Sequence, residues 1–334
     1  MIDMPSQEQF RGCLVGQALG DALGFVVEGR PPEICQEYVD DVLGRDGGLG
    51  RVRVSFGQYS DDTQLARELL QSYVARRRFD PEDYARRICA IFSEGRIVGR
   101  GRSTEEAANR LAHGVPWDEA GTPPPSAGNG SAMRAGPIGL IFQDDPEGLV
   151  RAAIEQGIIT HADPRCSAGT IAIAGAVSLA LRARPVEPAS FLAHLAELSE
   201  GIEPHFATYL RRLTRWLPLP PEEAVICILQ EGLEQDPSHG RRGISPFVVG
   251  SVLWSLYSFL KSPDDYQKTI RTAIAVGGDV DTTAAMAGAI SGARLGLAAV
   301  PQRLAHHLTD QGTWGLAELI ALADECCRTK RHLV

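Results

Sequence analysis

The chain has 334 residues, 44% of them hydrophobic and 6% aromatic, with a net charge of −9 and an isoelectric point near 5.4. That length buries a sizeable core and accommodates one large domain or two ordinary ones. The acidic balance excludes a general nucleic-acid binder, which would carry basic patches, and a polybasic membrane anchor.

Apolar residues recur at helical spacing through nearly the whole chain, and helix punctuation is dense. Ser6 and Gln9 stand at capping-box spacing ahead of a helix running toward Val27. Within it Gly12, Gly16, Gly20 and Gly24 recur at every fourth place. That spacing keeps them on one face, where another helix backbone can approach closely. Each glycine costs about 0.5–1 kcal/mol of helix stability relative to Ala, so the stripe predicts a central, tightly packed helix. Asp21, about two turns before the segment ends, is expected to be half-buried and to organise hydrogen bonds. Glu28 by itself reads as a solvated acid at the helix end.

Residues 51–56 are the best strand candidate, but they stand alone, and no alternating pattern of convincing length exists elsewhere. Ser60 or Asp61 caps the next helix, with Leu65, Leu69 and Tyr73 on one face. Asp80 opens another, with Pro81 at the first helical position. Ser103 and Glu106 are spaced as a capping box, and Gly114 as its stop. Further helices are predicted over 131–142, 146–156, 164–183, 188–198, 204–216, 221–233, 246–260, 264–275, 281–295, 301–308 and 314–328. The loops expected to be ordered by function are 95–102, 123–130 and 161–164. No Ser/Gly-rich linker divides the chain and no short repeat is present, so the reading is one all-α domain over 1–334.

The seven cysteines are odd in number, form no CxxC pair and mostly fall in apolar helical patterns, where a free thiol behaves as a small hydrophobe. This points to a reducing compartment. The N-terminus shows no basic n-region with an apolar stretch behind it, and no apolar run reaches membrane-spanning length. The expectation is a soluble cytoplasmic protein with no nucleic-acid or membrane partner.

Two short runs of acids and hydroxyls, about 220 positions apart, carry the chemistry. They are Ser60-Asp61-Asp62-Thr63 and Asp279-Val280-Asp281-Thr282-Thr283, the second preceded by Gly277-Gly278. Each opens a helix, and a helix start uses Asp, Ser or Thr as a cap. A cap needs one side-chain oxygen, whereas each run supplies at least three, and adjacent carboxylates repel unless a cation screens them. With oxygen donors and neither sulfur nor imidazole, the pair suits hard divalent cations such as Mg²⁺ or Mn²⁺. The four aspartates balance two such ions, so the runs predict a dinuclear site if they meet in space. The helix behind the second run is lean, with Ala284, Ala285, Ala287, Gly288, Ala289, Gly292 and Gly296. Small residues behind both runs let the two helix starts come together. Between the runs, Ser126 to Ser131 form a Gly-rich loop ahead of an apolar helix, suited to a diphosphate and equally to an ordinary turn. His161 reads as a core or capping histidine or as a ligand contact. Arg100, Arg102 and Arg134 read as surface charges or as groups facing a diphosphate, and Phe247 as a core aromatic or an adenine stack.

Five runs occur in order: Gly20-Asp21-Ala22-Leu23-Gly24, Ser60-Asp61-Asp62-Thr63, Gly128-Asn129-Gly130-Ser131-Ala132-Met133-Arg134, Thr160-His161 and Gly277-Gly278-Asp279-Val280-Asp281-Thr282. From Arg11 to Leu297 the chain thereby resembles the ADP-ribosylglycohydrolase family, which includes dinitrogenase reductase-activating glycohydrolases and ADP-ribosylarginine and ADP-ribosylserine hydrolases. The resemblance implies an all-α orthogonal helical bundle with two Mg²⁺ (or Mn²⁺) at its cleft. It implies metal ligands at Ser60, Asp61, Asp62, Asp279, Asp281 and Thr282, with Asp281 as the bridge and part of the catalytic machinery. Ser60 stands where Thr is common and keeps the hydroxyl, while Val280 replaces a common Thr that need not be a ligand. Glu28 matches the acid at the scissile bond and is the second catalytic residue implied. Ser126, Gly128, Asn129, Gly130, Ser131 and His161 are implied to bind substrate. The function implied is metal-dependent removal of ADP-ribose from a modified protein side chain, with free ADP-ribose as product. N-linked ADP-ribosyl-arginine is favoured, because the start at Gly20 to Gly24 is closer to the arginine-directed bacterial members. An O-linked ADP-ribosyl-serine or small ADP-ribose conjugate, a non-catalytic ADP-ribose-binding module and a metal-dependent phosphohydrolase are the alternatives.

Overall fold

The structure is a computed structural model that describes residues 4–43, 56–232 and 242–333. Residues 51–55 of the predicted strand and residue 233 of the helix predicted over 221–233 lie outside the described residues. Among the described residues the chain is all-α: sixteen α-helices, with isolated β-bridges and no strand ladder. The first half holds α1 (Gln7–Phe25), α2 (Pro32–Asp41), α3 (Asp61–Arg76), α4 (Pro81–Ser93), α5 (Arg102–Ala112), α6 (Gly136–Ile141), α7 (Pro146–Ile158) and α8 (Pro164–Ala180). The second holds α9 (Pro188–Glu200), α10 (Pro204–Trp216), α11 (Pro221–Gln230), α12 (Val248–Lys261), α13 (Tyr266–Ala275), α14 (Val280–Leu295), α15 (Gln302–Ala305) and α16 (Leu316–Leu333). No helix among the described residues is long and apolar enough to cross a membrane, and all seven cysteines are free.

Local sequence explains most helix starts. Ser6 and Gln9 form the capping box ahead of α1, and α4, α7, α8 and α10 each join an acidic N-cap to a proline in the first turn. Four expectations need correction. The segment 131–142 is helical only from Gly136, because Pro137 lacks the N–H an interior position needs and so marks a helix start. Ser103 and Glu106 make no capping box: the N-cap of α5 is Gly101, two residues before Ser103, with no side-chain cap. The Ser103 hydroxyl instead lies 3.2 Å from that of Ser126, and Glu106 pairs with Arg102 at 2.8 Å. The helix predicted over 301–308 shrinks to the four residues of α15, and α2, opened by Pro32, was not anticipated.

The core is a contiguous apolar cluster running from Phe10 to Cys327, and α1 against α14 is its most intimate helix pair. The glycine stripe faces that partner. A Cβ on Gly12 would stand 2.3 Å from the Gly292 carbonyl oxygen, one on Gly20 2.2 Å from that of Ala284, and one on Gly24 2.4 Å from the Cα of Asp281. Contacts that short exclude any side chain, so the backbones meet directly and the helix-propensity cost of glycine is offset by close packing. The Tyr266 hydroxyl donates to the Gly16 carbonyl at 2.6 Å and ties α13 to the same seam. The seam carries Asp21 on one helix and Asp281 on the other.

Candidate functional site

The two acidic runs meet. Thr282 lies within hydrogen-bonding reach of both, its hydroxyl 3.4 Å from Asp62 Oδ2 and 3.4 Å from Asp279 Oδ1. Ser60 caps α3, accepting from the Asp62 amide and donating to Asp62 Oδ2 at 2.9 Å. Asp281 accepts from the Thr282 amide at 2.8 Å. Oxygens of Asp21, Asp62 and Asp281 lie within 4.8 Å of one another, and so do oxygens of Glu28, Asp279 and Asp281.

Asp21 organises this meeting from α1. Its carboxylate accepts the Ser60 amide at 2.9 Å, the Thr63 amide at 3.0 Å and the Thr63 hydroxyl at 2.6 Å. The start of α3 is thus capped from another helix as well as from its own Ser60. Asp21 is fully buried, deeper than the half-buried position expected. Gln17, one turn earlier and not singled out in the sequence, donates to the Asp62 carbonyl at 3.0 Å and the Met133 carbonyl at 3.1 Å. Its only sequence signal is an amide on the polar-poor face of a glycine-striped helix.

Glu28 lies in the turn after α1 and reaches the cluster through backbone pairing. The Gly29 amide donates to the Gly278 carbonyl at 2.8 Å, and the Gly278 amide donates to the Arg30 carbonyl at 2.9 Å. Gly277 and Gly278 have φ of +76° and +86°, and a Cβ on Gly278 would fall 2.0 Å from the Ile244 carbonyl. Left-handed geometry and close approach both require glycine here, and the turn they permit sets Glu28 beside Asp279.

Burial dominates the electrostatics. Asp21 and Asp279 are each pushed up to about 6, and Asp61, Asp62 and Asp281 well above the ordinary carboxylate range. Desolvation is the first cause in every case; for Asp61, Asp62 and Asp281 repulsion from neighbouring carboxylates adds to it, while hydrogen bonds from Ser60 and Thr63 hold Asp21 back and one from Asn129 holds Asp279 back. Glu28 is exposed at the mouth, yet partial burial of its carboxyl raises it too. Asp62 Oδ1 is buried without any hydrogen-bond partner. An orphaned anionic oxygen among converging carboxylates and hydroxyls is what a hard divalent cation would satisfy, so the donor set fits the ions its chemistry implies.

A cavity of about 340 Å³ opens on Glu28, Asp61, Asp62, Asp279, Asp281 and Thr282. Gly128, Asn129, Gly130 and His161 line it as well, and so do Gly99 to Thr104. A Cβ on Gly99 would stand 2.9 Å from Asp61 Oδ1, so the loop approaches the carboxylate as closely as glycine permits. A second cavity of about 350 Å³ adjoins the first at Glu28, Pro246 and Asp279. Pro246, read in the sequence only as a helix start, therefore stands between the two. Isolated bridges hold the lining loops: Thr122 with His161, Gly128 with Phe247, and Ile244 with Gly278. Asn129 also reaches the acids, its amide Nδ2 donating to Asp279 Oδ2 at 2.6 Å.

The remaining candidates are divided between the cavity and the interior. Ser126 and Ser131 do not line the cavity; Ser131 is buried and accepts from Thr170 at 2.9 Å. Arg100 and Arg102 face it, each paired with a glutamate of α5. Arg134 is fully buried behind the cavity wall, its guanidinium over the Tyr84 ring. Phe247 is buried, with Arg165 over its ring.

With this geometry in place, four similarities stand out. Residues 3–332 match the ADP-ribosylglycohydrolase family profile. The chain is 31% identical to ADP-ribosylhydrolase ARH3 of Gallus gallus over 89% of its own length and 88% of the relative's. It is 24% identical to ADP-ribosylarginine hydrolase Tri1 of Serratia proteamaculans, covering 92% and 76%. A solved chain described as an ADP-ribosylglycohydrolase-related protein complex superposes with a TM-score of 0.71 at 29% identity, covering 97% of this chain and 98% of that one.

Proposed function

The chain belongs to the ADP-ribosylglycohydrolase family, and on that premise we propose that it hydrolyses the bond between the ADP-ribose anomeric carbon and a protein side chain. The observation that carries this reading is the meeting of two distant acidic runs in one cavity that a Gly-rich loop and a histidine also line. Ser60, Asp61, Asp62, Asp279, Asp281 and Thr282 would hold two Mg²⁺ or Mn²⁺. Bound there, the ions supply Lewis-acid polarisation of oxygens and orient the ribose hydroxyls.

The protein's own groups divide the remaining work. Gly128, Asn129 and Gly130 offer backbone and amide donors to phosphate and ribose oxygens. Asn129 also holds Asp279 in orientation. Glu28 stands beside Asp279, and its raised pKa favours holding a proton for the departing atom and then taking one from the attacking water. Such a group eases an oxocarbenium-like transition state, as paired carboxylates do in other glycosidases.

For the leaving group we favour N-linked arginine. A guanidinium is cationic, and Glu28, an acid outside the set that would hold the ions, lines the part of the cleft where the two cavities join. The linkage printed for the Serratia relative agrees with that choice. The test is direct: incubate ADP-ribosylated arginine and serine peptides with and without Mg²⁺ or Mn²⁺ and identify products by mass. Intact ADP-ribose released from the arginine peptide, only with metal, is the expected result. Cleavage at the diphosphate, or equal release in excess chelator, would remove this reading.

A further inference from the structure

Behind the cavity wall runs a chain of three side chains that decides which nitrogen of His161 carries its proton. Arg134 is fully buried; its Nε donates to Gln156 Oε1 at 2.9 Å, and its Nη2 donates to the Gln156 carbonyl at 2.9 Å and to Thr160 Oγ1 at 2.8 Å. Thr160 Oγ1 in turn lies 2.8 Å from His161 Nδ1. A guanidinium has no acceptor, so the direction of the first bond is fixed. The threonine oxygen has then accepted, and its one proton is left to donate.

We propose that Arg134 and Thr160 lock His161 as the Nε2–H tautomer, so that the ring presents a fixed neutral hydrogen-bond donor to a ligand oxygen in the cavity. The opposite arrangement, with Nδ1–H donating into the same oxygen, would leave the hydroxyl proton of fully buried Thr160 without an acceptor, which native interiors avoid. An imidazolium would need the same reversed bond and would set two cations side by side in a buried place. Burial and the Arg134 charge also push the His161 pKa down to about 3.

The outer nitrogen is the one on offer. Among the described residues no group hydrogen-bonds Nε2, and His161 lines the cavity beside Gly128 and Gly130. A Cβ on Gly130 would stand 3.1 Å from Nε2, and one on Gly128 3.3 Å away, so both glycines keep the approach to that nitrogen clear. In a cavity floored by carboxylates, a neutral donor can serve a hydroxyl or phosphate oxygen without collapsing onto the acids as a cation would. Arg134 and Thr160 are thereby positioning residues. The lock follows from the protein alone; only the identity of the ligand oxygen, a ribose hydroxyl or a phosphate, rests on the proposed function.

The test is ¹⁵N NMR of the ligand-free protein with labelled histidine, in which long-range couplings distinguish protonated from unprotonated ring nitrogens. Protonated Nε2 with unprotonated Nδ1 is expected across about pH 6 to about pH 8, where a free imidazole would titrate. A protonated Nδ1 in that range, alone or in an imidazolium, overturns the proposal without any variant. Thr160→Val should lose the single tautomer and weaken ADP-ribose binding about three- to tenfold, and Thr160→Ser should restore both. A Thr160→Val protein with the wild-type tautomer and affinity would overturn the role of Thr160. The expected tautomer in a protein that fails to bind ADP-ribose supports the lock and removes the proposed ligand, so the two readings fail separately.

Discussion

At the scale of single residues, the site separates groups that face the cluster from groups that hold them. Asp281 lies in both carboxylate clusters, whereas among the acids Asn129 hydrogen-bonds Asp279 alone. Asp281→Asn is expected to weaken Mn²⁺ binding about 100-fold or more, and Asn129→Ala about tenfold, the usual range for a partner that orients a ligand. Calorimetric titration of Mn²⁺ into both variants measures the difference, and equal losses would contradict the division. The sequence identified Asp281 through the oxygen surplus of its run. It could not assign Asn129 to Asp279, because a bond between residues 150 positions apart leaves no local trace.

Among elements, the α1–α14 seam governs the site, because each helix brings one acid to it. Gly20→Ala would force a methyl to within 2.2 Å of the Ala284 carbonyl and is expected to cost about 1–3 kcal/mol as overpacking. It should weaken Mn²⁺ binding as well, since parting the helices parts Asp21 from Asp281. Gly250→Ala, on α12 with open space about its Cβ, is expected to raise stability by up to about 1 kcal/mol from helix propensity alone. Denaturant unfolding of the two variants tests the contrast, which fails if both shift stability alike. The stripe was legible because a four-residue glycine period has few other uses in a helix. The capping box at Ser103 was misread because Ser103 pairs with Ser126 of a distant loop, and tertiary pairing overrode local pattern.

For the whole molecule, the unscreened acids set how stability depends on pH. Asp21, Asp61, Asp62, Asp279 and Asp281 all hold protons more tightly when folded than an ordinary carboxyl does. Between the unfolded value of about 4 and the raised folded values, the folded state binds more protons, so metal-free stability falls as pH rises. His161, depressed to about 3, acts in the opposite sense up to the ordinary imidazole value, and Asp80, Asp83, Asp265, Glu33 and Glu200, all lowered, do so only below the ordinary carboxyl range, so above about pH 5 His161 alone of these stands against the five raised acids. The metal-free protein is therefore expected to melt higher near pH 5 than near pH 8. Excess Mn²⁺ should raise the melting temperature most at the higher pH, where the carboxylates are free to bind it. Thermal melts at the two pH values with and without Mn²⁺ decide this. A metal-free protein that is steadily stabilised as pH rises would show that the acids are not mutually strained.

The sequence by itself determined the all-α class, most helix starts, the surplus of oxygen donors at Ser60 to Asp62 and Asp279 to Thr282, and the order of runs that marks the family. These follow from periodicity and capping chemistry, which act over a few residues and so are written locally. Only the tertiary structure decided that the two runs share one cavity, that Asp21 caps α3 from across the seam, and that Arg134 lies behind the wall instead of facing a ligand. Those facts depend on which backbone can approach which. That is set by packing among helices far apart in the chain, down to the bare carbonyls that Gly12, Gly20 and Gly24 leave room for.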